Sequence, residues 1–208
     1  MMKRKSSLTA SLVLATLVVS SASAYVLLSP RRTWNGAVNI TVDSRGNSTI
    51  TDSDGGGTAV VNAITSNSAW NGAGTGTRVT AQRGSVAGWR LGDGVVMLNF
   101  RDPEHACNGS CLAATFTGYY SARGDGTTRI TDADIVTNPR NPLTSTREPD
   151  GCSGEYFVEG IMVHEVGHVL GLAHTNVSGA TMYPSVSACN NGPAAIKADD
   201  KAGIQDLY

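Results

Sequence analysis

The sequence contains few of the residues that dominate several classes of protein. Aromatic side chains make up 6% of its 208 residues, and histidine and cysteine occur only four times each. Lysine and arginine (16) are balanced by aspartate and glutamate (17), for a formal net charge of −1. Because nucleic acids and anionic membranes attract proteins with an excess of positive charge, we expect neither as a partner.

The apolar run near the N-terminus is too short for a membrane span, which needs about 20 apolar residues. The segment combines a basic stretch (residues 3–5), an apolar run (8–19) and a small-residue cleavage site (22–24). This pattern is typical of a signal peptide, here residues 1–24, and an uncleaved anchor is the alternative. We therefore expect one exported domain over residues 25–208, a monomer without membrane contact, secreted to the extracellular space or kept in the periplasm or cell envelope.

The four cysteines fit an exported protein, since disulfides persist in oxidising compartments. Four cysteines allow three pairings. We favour Cys107–Cys111, which closes a small local loop, together with Cys152–Cys189, which joins segments on either side of the histidine motif described next. A zinc site with four cysteine ligands is the competing interpretation, but the spacing lacks paired C-x-x-C units.

Three of the four histidines lie within eleven consecutive positions. Residues four apart on a helix share a face about 5–6 Å apart, so His164 and His168 can bind one metal ion. Gly171 is suited to end that helix, which lets the chain reverse and bring His174 back as a third ligand. Three nitrogen ligands leave a fourth position open, as in catalytic zinc sites, and Glu165 stands where a general base for water is needed.

The pattern H-E-x-x-H-x-x-G-x-x-H, followed by Met182, resembles the metzincin clan of zinc endopeptidases. Within that clan, Met182, Tyr183 and Pro184 resemble the matrixin branch, since the astacin and serralysin branches carry a tyrosine where this chain has Pro184. Residues 199–208 also resemble the end of a matrixin catalytic domain. The resemblance implies that Met182 forms an apolar floor beneath the zinc.

The expected fold is α+β: a mixed twisted sheet with one helix behind it, a zinc-binding helix below it and a C-terminal helix. Alternation and helical periodicity place its elements. We expect strands within residues 32–42, 78–80, 95–100 and 111–116, and helices over residues 58–71, 155–170 and from about 197.

The resemblance also implies a binding site for an extended peptide. Leu112, Ala113 and Thr115 fall in the matrixin edge strand, which pairs with substrate by β-augmentation. Tyr183 and Pro184 begin the segment that shapes the pocket for the side chain after the scissile bond.

Other metal sites of the family are only partly matched. Ala114 stands where matrixins have a histidine for a structural zinc, so we expect one zinc, and His105 is read as a surface residue. The carboxylates of Asp125, Asp132 and Asp134 lie where the family often binds calcium. An acidic, glycine-rich turn exposed to water is the alternative.

The function implied by the resemblance is a secreted zinc-dependent endopeptidase in which Glu165 acts as general base for water. Two alternatives remain open: a zinc hydrolase of the same fold acting on a non-protein amide such as a cell-wall peptide, and a non-catalytic binding module stabilised by zinc. A binding module has no need of Glu165. Because no cysteine precedes Cys107, we do not expect the cysteine-switch latency of matrixins.

Overall fold

The computed structural model of the chain describes residues 24–86, 88–121 and 128–208. The expected signal peptide up to residue 23 and the candidate calcium ligand Asp125 lie outside these ranges. The described elements are β1 (Val26–Leu27), β2 (Arg32–Thr33), β3 (Val38–Asp43), α1 (Gly57–Thr65), β4 (Val79–Gly84), β5 (Val96–Asn99), β6 (Ala113–Ser121), β7 (Thr128–Thr137), β8 (Leu143–Thr144), β9 (Tyr156–Phe157), α2 (Val158–Val169), β10 (Leu172–Ala173) and α3 (Ala198–Leu207). Short 3₁₀ helices cover Trp70–Ala73 and Gly192–Ala194.

The main sheet is mixed, as the sequence predicts. Strands β2, β7, β5, β3 and β4 are all parallel to their neighbours in that order, and β6 pairs antiparallel with β7. Within the described residues β6 pairs on one side only, so its other side is a free sheet edge. Two small sheets, β1–β10 and β8–β9, attach the N-terminal segment and the loop before α2.

The core lies where helices α1 and α2 meet the sheet. In β3, Val38, Ile40 and Val42 are buried at alternating positions, as expected of a strand with one face on the core. Val60 and Ile64 of α1 join the same cluster. Helix α1 contacts β3, β4 and α2, and α2 contacts β6 and β7, so the α2 helix is fixed against the edge strand. No helix among the described ranges has the length and apolar character to cross a bilayer.

The helix predicted over residues 58–71 is shorter in the structure. It ends at Thr65, and Trp70 begins a separate 3₁₀ turn. The Asn71 side chain explains the break, because its amide donates to the carbonyls of Thr65 and Val79 (both 2.9 Å) and its oxygen accepts from the Val79 N–H. The side chain thus links the end of α1 to β4, and a continuous helix would separate them.

The zinc-binding helix was predicted to begin near Glu155, but α2 begins at Val158. The preceding two residues form β9, which pairs with β8, so extended backbone replaces the first predicted turn. Phe157, the second residue of β9, is only half-buried. Gly171 follows the end of the helix with φ of 107°, the left-handed conformation predicted for it.

Two predicted strand regions and the acidic segment also differ from the structure. Residues 32–42 form two strands separated by a turn at Gly36 (φ 101°). The edge strand begins at Ala113 and runs beyond the predicted end, so Leu112 immediately precedes it. The acidic segment, read as a glycine-rich turn, lies instead in β7, where Asp132 and Asp134 are buried and pair with Gly118 and Phe116 of β6.

Candidate metal centre and catalytic site

Helix α2 and the turn that follows it bring three imidazoles together. The Nε2 atoms of His164 and of His168 each lie 3.1 Å from Nε2 of His174. Two nitrogens bound to one tetrahedral zinc at about 2.0–2.1 Å would be separated by about 3.3 Å. The three nitrogens therefore surround a space that fits one metal ion, and they form a metal-binding cluster within the described chain.

The other ring nitrogens fix the orientation of two of these rings. His164 Nδ1 lies 2.6 Å from the carbonyl oxygen of Thr181, and His168 Nδ1 lies 2.8 Å from that of Leu172. A carbonyl oxygen only accepts, so each Nδ1 carries the hydrogen and each Nε2 presents a lone pair to the site. Burial also lowers the pKa of His164 and of His168 to about 4, which keeps both rings neutral, as metal ligands must be.

Asp200 in α3 holds the turn that supplies one of these carbonyls. Its carboxylate accepts the backbone N–H groups of Thr181 (2.8 Å), Met182 (2.9 Å) and Lys197 (2.8 Å). Asp200 is almost fully buried, with 1% of its surface exposed. The C-terminal helix thus fixes the carbonyl that orients His164.

Met182 lies under α2, where the resemblance predicts an apolar floor. Its sulfur packs so closely against Gly167 that a β-carbon at that position would overlap it and crowd the Trp70 ring. Trp70 is itself buried and donates from Nε1 to the Val163 carbonyl at 2.8 Å. Glycine within the histidine motif is therefore required by packing on the methionine and the tryptophan.

The C-terminal end of α2 has side-chain donors for two of its carbonyls. Trp34 Nε1 donates to Val169 O at 2.7 Å, and the Tyr208 hydroxyl donates to Leu170 O at 2.9 Å. The last carbonyls of a helix have no partners within it, and a buried end must find them elsewhere. These contacts hold the end of α2 just before the chain turns toward His174.

Glu165 is buried beside the histidines, with 5% of its surface exposed. Burial raises the pKa of its carboxyl group above the ordinary value, and the nearby histidines and Thr115 oppose that shift. The Thr115 hydroxyl donates to Glu165 Oε2 at 2.6 Å. The carboxyl group therefore lies next to the metal cluster in a fixed position.

A cleft of about 450 Å³ opens onto this cluster. Four residues predicted to contact substrate line it, namely Leu112, Ala113, Tyr183 and Pro184, together with His164, Glu165 and His174. Its walls also include Tyr156, Gly160, Ile161, Ser185, Val186 and Pro193. Thr115, the fifth predicted substrate residue, is not a lining residue, and its hydroxyl contacts Glu165 instead.

The structure contains both favoured disulfides. Cys107–Cys111 has a Cα–Cα distance of 5.4 Å, and Cys152–Cys189 has 5.5 Å. The second bond joins the segment before α2 to the loop after the Met182 turn. The Cys189 N–H also donates to Glu155 O at 2.8 Å, so backbone and disulfide together hold the two segments that border the cleft.

Two of the candidate calcium ligands, Asp132 and Asp134, lie two residues apart on β7, where Asp134 is paired with Phe116, the residue after Thr115 in β6. Asp132 Oδ2 accepts the N–H groups of Gly92 and Asp93, and Asp134 Oδ2 accepts that of Arg90 at 2.8 Å. The Oδ1 atom of each aspartate has no hydrogen-bond partner among the described residues. Burial raises the pKa of Asp134 to about 6.

Several residues that support the site were missed by the sequence analysis. Asp200 could have been noticed as an acidic residue in the first turn of the predicted C-terminal helix, where carboxylates often accept backbone N–H groups. No residue type predicts the role of Thr181, because its backbone carbonyl makes the contact. The donors Trp34 and Tyr208 lie far from α2 in sequence and carry no local signal.

Comparison with known proteins agrees with this geometry. Metalloendoproteinase 5-MMP of Arabidopsis thaliana is 43% identical over 131 residues, which are 55% of this chain and 35% of that protein. Matrix metalloproteinase-2 of Drosophila melanogaster is 37% identical over 101 residues (48% of this chain, 12% of the relative), and matrilysin of Rattus norvegicus is 36% identical over 63 residues (26% and 24%). The chain thus spans about a third or less of the curated relatives it matches.

The match to a family is broader than any of these pairwise matches. The matrixin family model matches residues 32–208, which contain the whole main sheet, the three helices and the histidine cluster. The α+β fold and the metal-binding motif were both expected of that family. The chain belongs to the matrixin family.

Proposed function

We propose that this protein is a zinc-dependent endopeptidase that cleaves peptide bonds in extended protein substrates. The observation that carries the proposal is the convergence of three histidine Nε2 atoms beside the buried carboxyl group of Glu165, at the base of an open cleft. Membership of the matrixin family and the likeness to metalloendoproteinases support it.

His164, His168 and His174 would hold the zinc. When bound, zinc supplies a Lewis acid that activates water and polarises the scissile carbonyl. The protein's contribution is to keep Nε2 of each ring free of hydrogen and pointed at one place. The carbonyls of Thr181 and Leu172 do this for two of the rings.

Glu165 is the proposed general base. Its Oε2 atom is occupied by the Thr115 hydroxyl, so Oε1 is the oxygen that takes a proton from the attacking water. The same oxygen then delivers the proton to the leaving amine. Because burial raises the pKa of Glu165, the carboxyl group holds the proton more readily between these two transfers than an exposed glutamate would.

The substrate is proposed to lie extended along the free edge of β6. Backbone groups between Leu112 and Thr115 would pair with the peptide, and the cleft wall formed by Tyr183 and Pro184 would face it from the other side. The side chain after the scissile bond would enter the cleft beside Gly160.

We further propose that residues 1–24 are a signal peptide and that the domain functions outside the cytoplasm, as a monomer. The two disulfides support export, since such bonds persist mainly in oxidising compartments. We also propose that Asp132 and Asp134 contribute to a calcium site. Their unpaired carboxylate oxygens support this idea.

The test is cleavage of a quenched random-peptide library by residues 25–208, comparing wild type, Glu165→Ala and Glu104→Gln, with zinc assayed in all three. Glu104 is exposed and does not line the cleft, so its replacement controls for loss of a glutamate. We expect chelator-sensitive turnover that falls by about 10²–10⁴-fold in Glu165→Ala alone, with zinc retained. Equal turnover in wild type and Glu165→Ala would exclude Glu165 as the base. Zinc binding without turnover of any peptide would contradict the endopeptidase.

A further inference from the structure

The side chains of β6 alternate between two environments. Phe116 faces away from α2 and stacks on Trp89, with ring centroids 4.5 Å apart. Thr115, one position earlier, points to the opposite face of the sheet, as successive residues of a strand must. That face is covered by α2, so the hydroxyl of Thr115 meets the helix that carries the metal-binding histidines.

The Thr115 hydroxyl has two acceptors within reach and one hydrogen to give. Oγ1 lies 2.6 Å from Glu165 Oε2 and 3.2 Å from the Glu165 carbonyl oxygen. The shorter contact falls in the range of charge-assisted O–H···O⁻ hydrogen bonds, about 2.5–2.7 Å. The hydrogen therefore goes to the carboxylate.

The position of this hydroxyl is well determined. Threonine is β-branched, which restricts its χ1 angle. The backbone of Thr115 is paired with Ile135, the third of the nine residue pairs in the β6–β7 ladder. A donor on a stiff side chain in a paired strand offers a fixed reference point for the Glu165 side chain.

Glutamate needs such a reference, because its terminal torsion χ3 is broad and roughly two-fold. Nothing in the rotamer preferences of Glu165 sets the plane of its carboxyl group. A hydrogen bond to Oε2 sets that plane and leaves Oε1 without a protein partner among the described residues.

We infer that Thr115 is a positioning residue that fixes the carboxylate of Glu165 for proton transfer, rather than a residue that contacts substrate through its side chain. This inference rests on the proposed endopeptidase function. It gives the Thr115 side chain a role distinct from that of the β6 backbone, which the peptide would use. A misplacement of the base by about 1 Å is expected to slow the chemical step by up to about 10²-fold.

The experiment compares Thr115→Val, which removes the hydroxyl, with Thr115→Ser, which keeps it. Thr117→Val is the matched control, because Thr117 lies two residues along the same strand and face, and its Oγ1 accepts from Arg32 at 3.2 Å instead of contacting Glu165. We expect kcat of Thr115→Val to fall by about 10- to 100-fold with KM within about twofold of wild type. Thr115→Ser should recover kcat to within about threefold, and Thr117→Val should match wild type. Zinc content and thermal stability are measured for each variant.

A second pair of variants separates the positioning role from a general one. In Glu165→Asp the carboxylate is one methylene shorter and no longer reaches Thr115, so adding Thr115→Val should lower kcat by less than about twofold further. A full additional loss in the double variant would overturn the inference, as would a rise in KM with kcat unchanged. If zinc-loaded wild type cleaves no peptide, the proposed function itself fails. If wild type and Glu165→Ala cleave equally, Glu165 is not the base, and the inference about Thr115 fails while the endopeptidase stands. If Glu165→Ala is inactive while Thr115→Val equals wild type, only the inference about Thr115 fails.

Discussion

Asp200 and Asp134 are two aspartates with nearly the same burial and very different surroundings. They are 1% and 0% exposed. Asp200 accepts three backbone N–H groups, and both of its carboxylate oxygens are used. Asp134 accepts the N–H of Arg90 through Oδ2, while Oδ1 has no partner in the part of the chain that the structure describes.

The two aspartates thus differ in whether both carboxylate oxygens have a hydrogen-bond partner among the described residues. Beside the histidines, the N–H groups that stabilise Asp200 belong to the turn whose carbonyl orients His164, so a buried carboxylate helps to fix the orientation of a candidate metal ligand. At Asp134, by contrast, an unpaired buried acceptor costs about 1–3 kcal/mol. A proton or a cation would satisfy such an atom. Burial raises the pKa of Asp134 to about 6, so its carboxyl group binds a proton more readily than an exposed aspartate does.

The largest effect is expected from Asp200→Asn, which disrupts the hydrogen bonds from Asp200 to the Met182 turn. The amide offers one acceptor oxygen in place of two and turns an NH₂ group toward a backbone N–H. We expect a loss of about 3 kcal/mol in the free energy of unfolding, measured by chemical denaturation. Because the Thr181 carbonyl then loses its fixed position, zinc affinity should fall by about 10–100-fold in a competition assay with a chelator.

Asp206→Asn provides the control for that substitution. Asp206 lies in the same helix, but it is exposed and pairs with the exposed Arg31. Surface pairs of this kind contribute about 0–1 kcal/mol. Unchanged zinc affinity in Asp200→Asn would show that the Met182 turn does not depend on Asp200.

A smaller effect is expected from Gly167→Ala, which tests the packing under the metal. Alanine favours a helix over glycine by about 1 kcal/mol, but its β-carbon would overlap the Met182 sulfur. Overpacking of this kind costs about 1–3 kcal/mol, and we expect a net loss of about 2 kcal/mol in thermal or chemical unfolding. Gly76→Ala is the control, since a β-carbon at Gly76 meets no atom within 4 Å. A stabilised Gly167→Ala would mean that the floor beneath α2 can move aside.

The histidine cluster was also the part of the molecule that the sequence predicted best. Helix geometry alone places His164 and His168 on one face, and Gly171 indicates the chain reversal that brings His174 back. These are local relations, readable within eleven residues. Both favoured disulfides, the local Cys107–Cys111 and the longer-range Cys152–Cys189, are also present.

What could not be predicted depends on contacts between distant segments. Asp200 is 18 residues from Met182, and no local pattern indicates that its carboxylate reaches that turn. Asp132 and Asp134 were read as part of a turn because glycines precede them. Pairing with β5 and β6 decides their conformation instead, and a strand's neighbours are not encoded in its own residues. Thr115 was placed in the correct strand, but the resemblance assigned it to substrate, whereas the fold turns its hydroxyl to Glu165.

The smallest effect, and the one that most sharpens the comparison, is expected from Asp134→Asn. A raised pKa means that the folded state binds the proton more tightly than the unfolded chain does. The stability contributed by the protonated group is therefore present at pH values below about 4 and is lost as the pH rises through about 6. Asparagine does not titrate, so the variant does not lose stability through this group as the pH rises.

We therefore expect the stability advantage of Asp134→Asn over wild type to be larger at pH 8 than at pH 5, by about 1.5 kcal/mol, because wild type keeps losing stability between these pH values until the folded Asp134 carboxyl group ionises. Chemical denaturation of both proteins at the two pH values measures the difference. If the unpaired oxygen instead serves a cation, millimolar calcium at pH 8 should raise the stability of wild type and leave Asp134→Asn unchanged. An equal difference between the two proteins at both pH values, with no response to calcium, would mean that Asp134 is as well satisfied as Asp200 and that the two carboxylates do not differ in this respect.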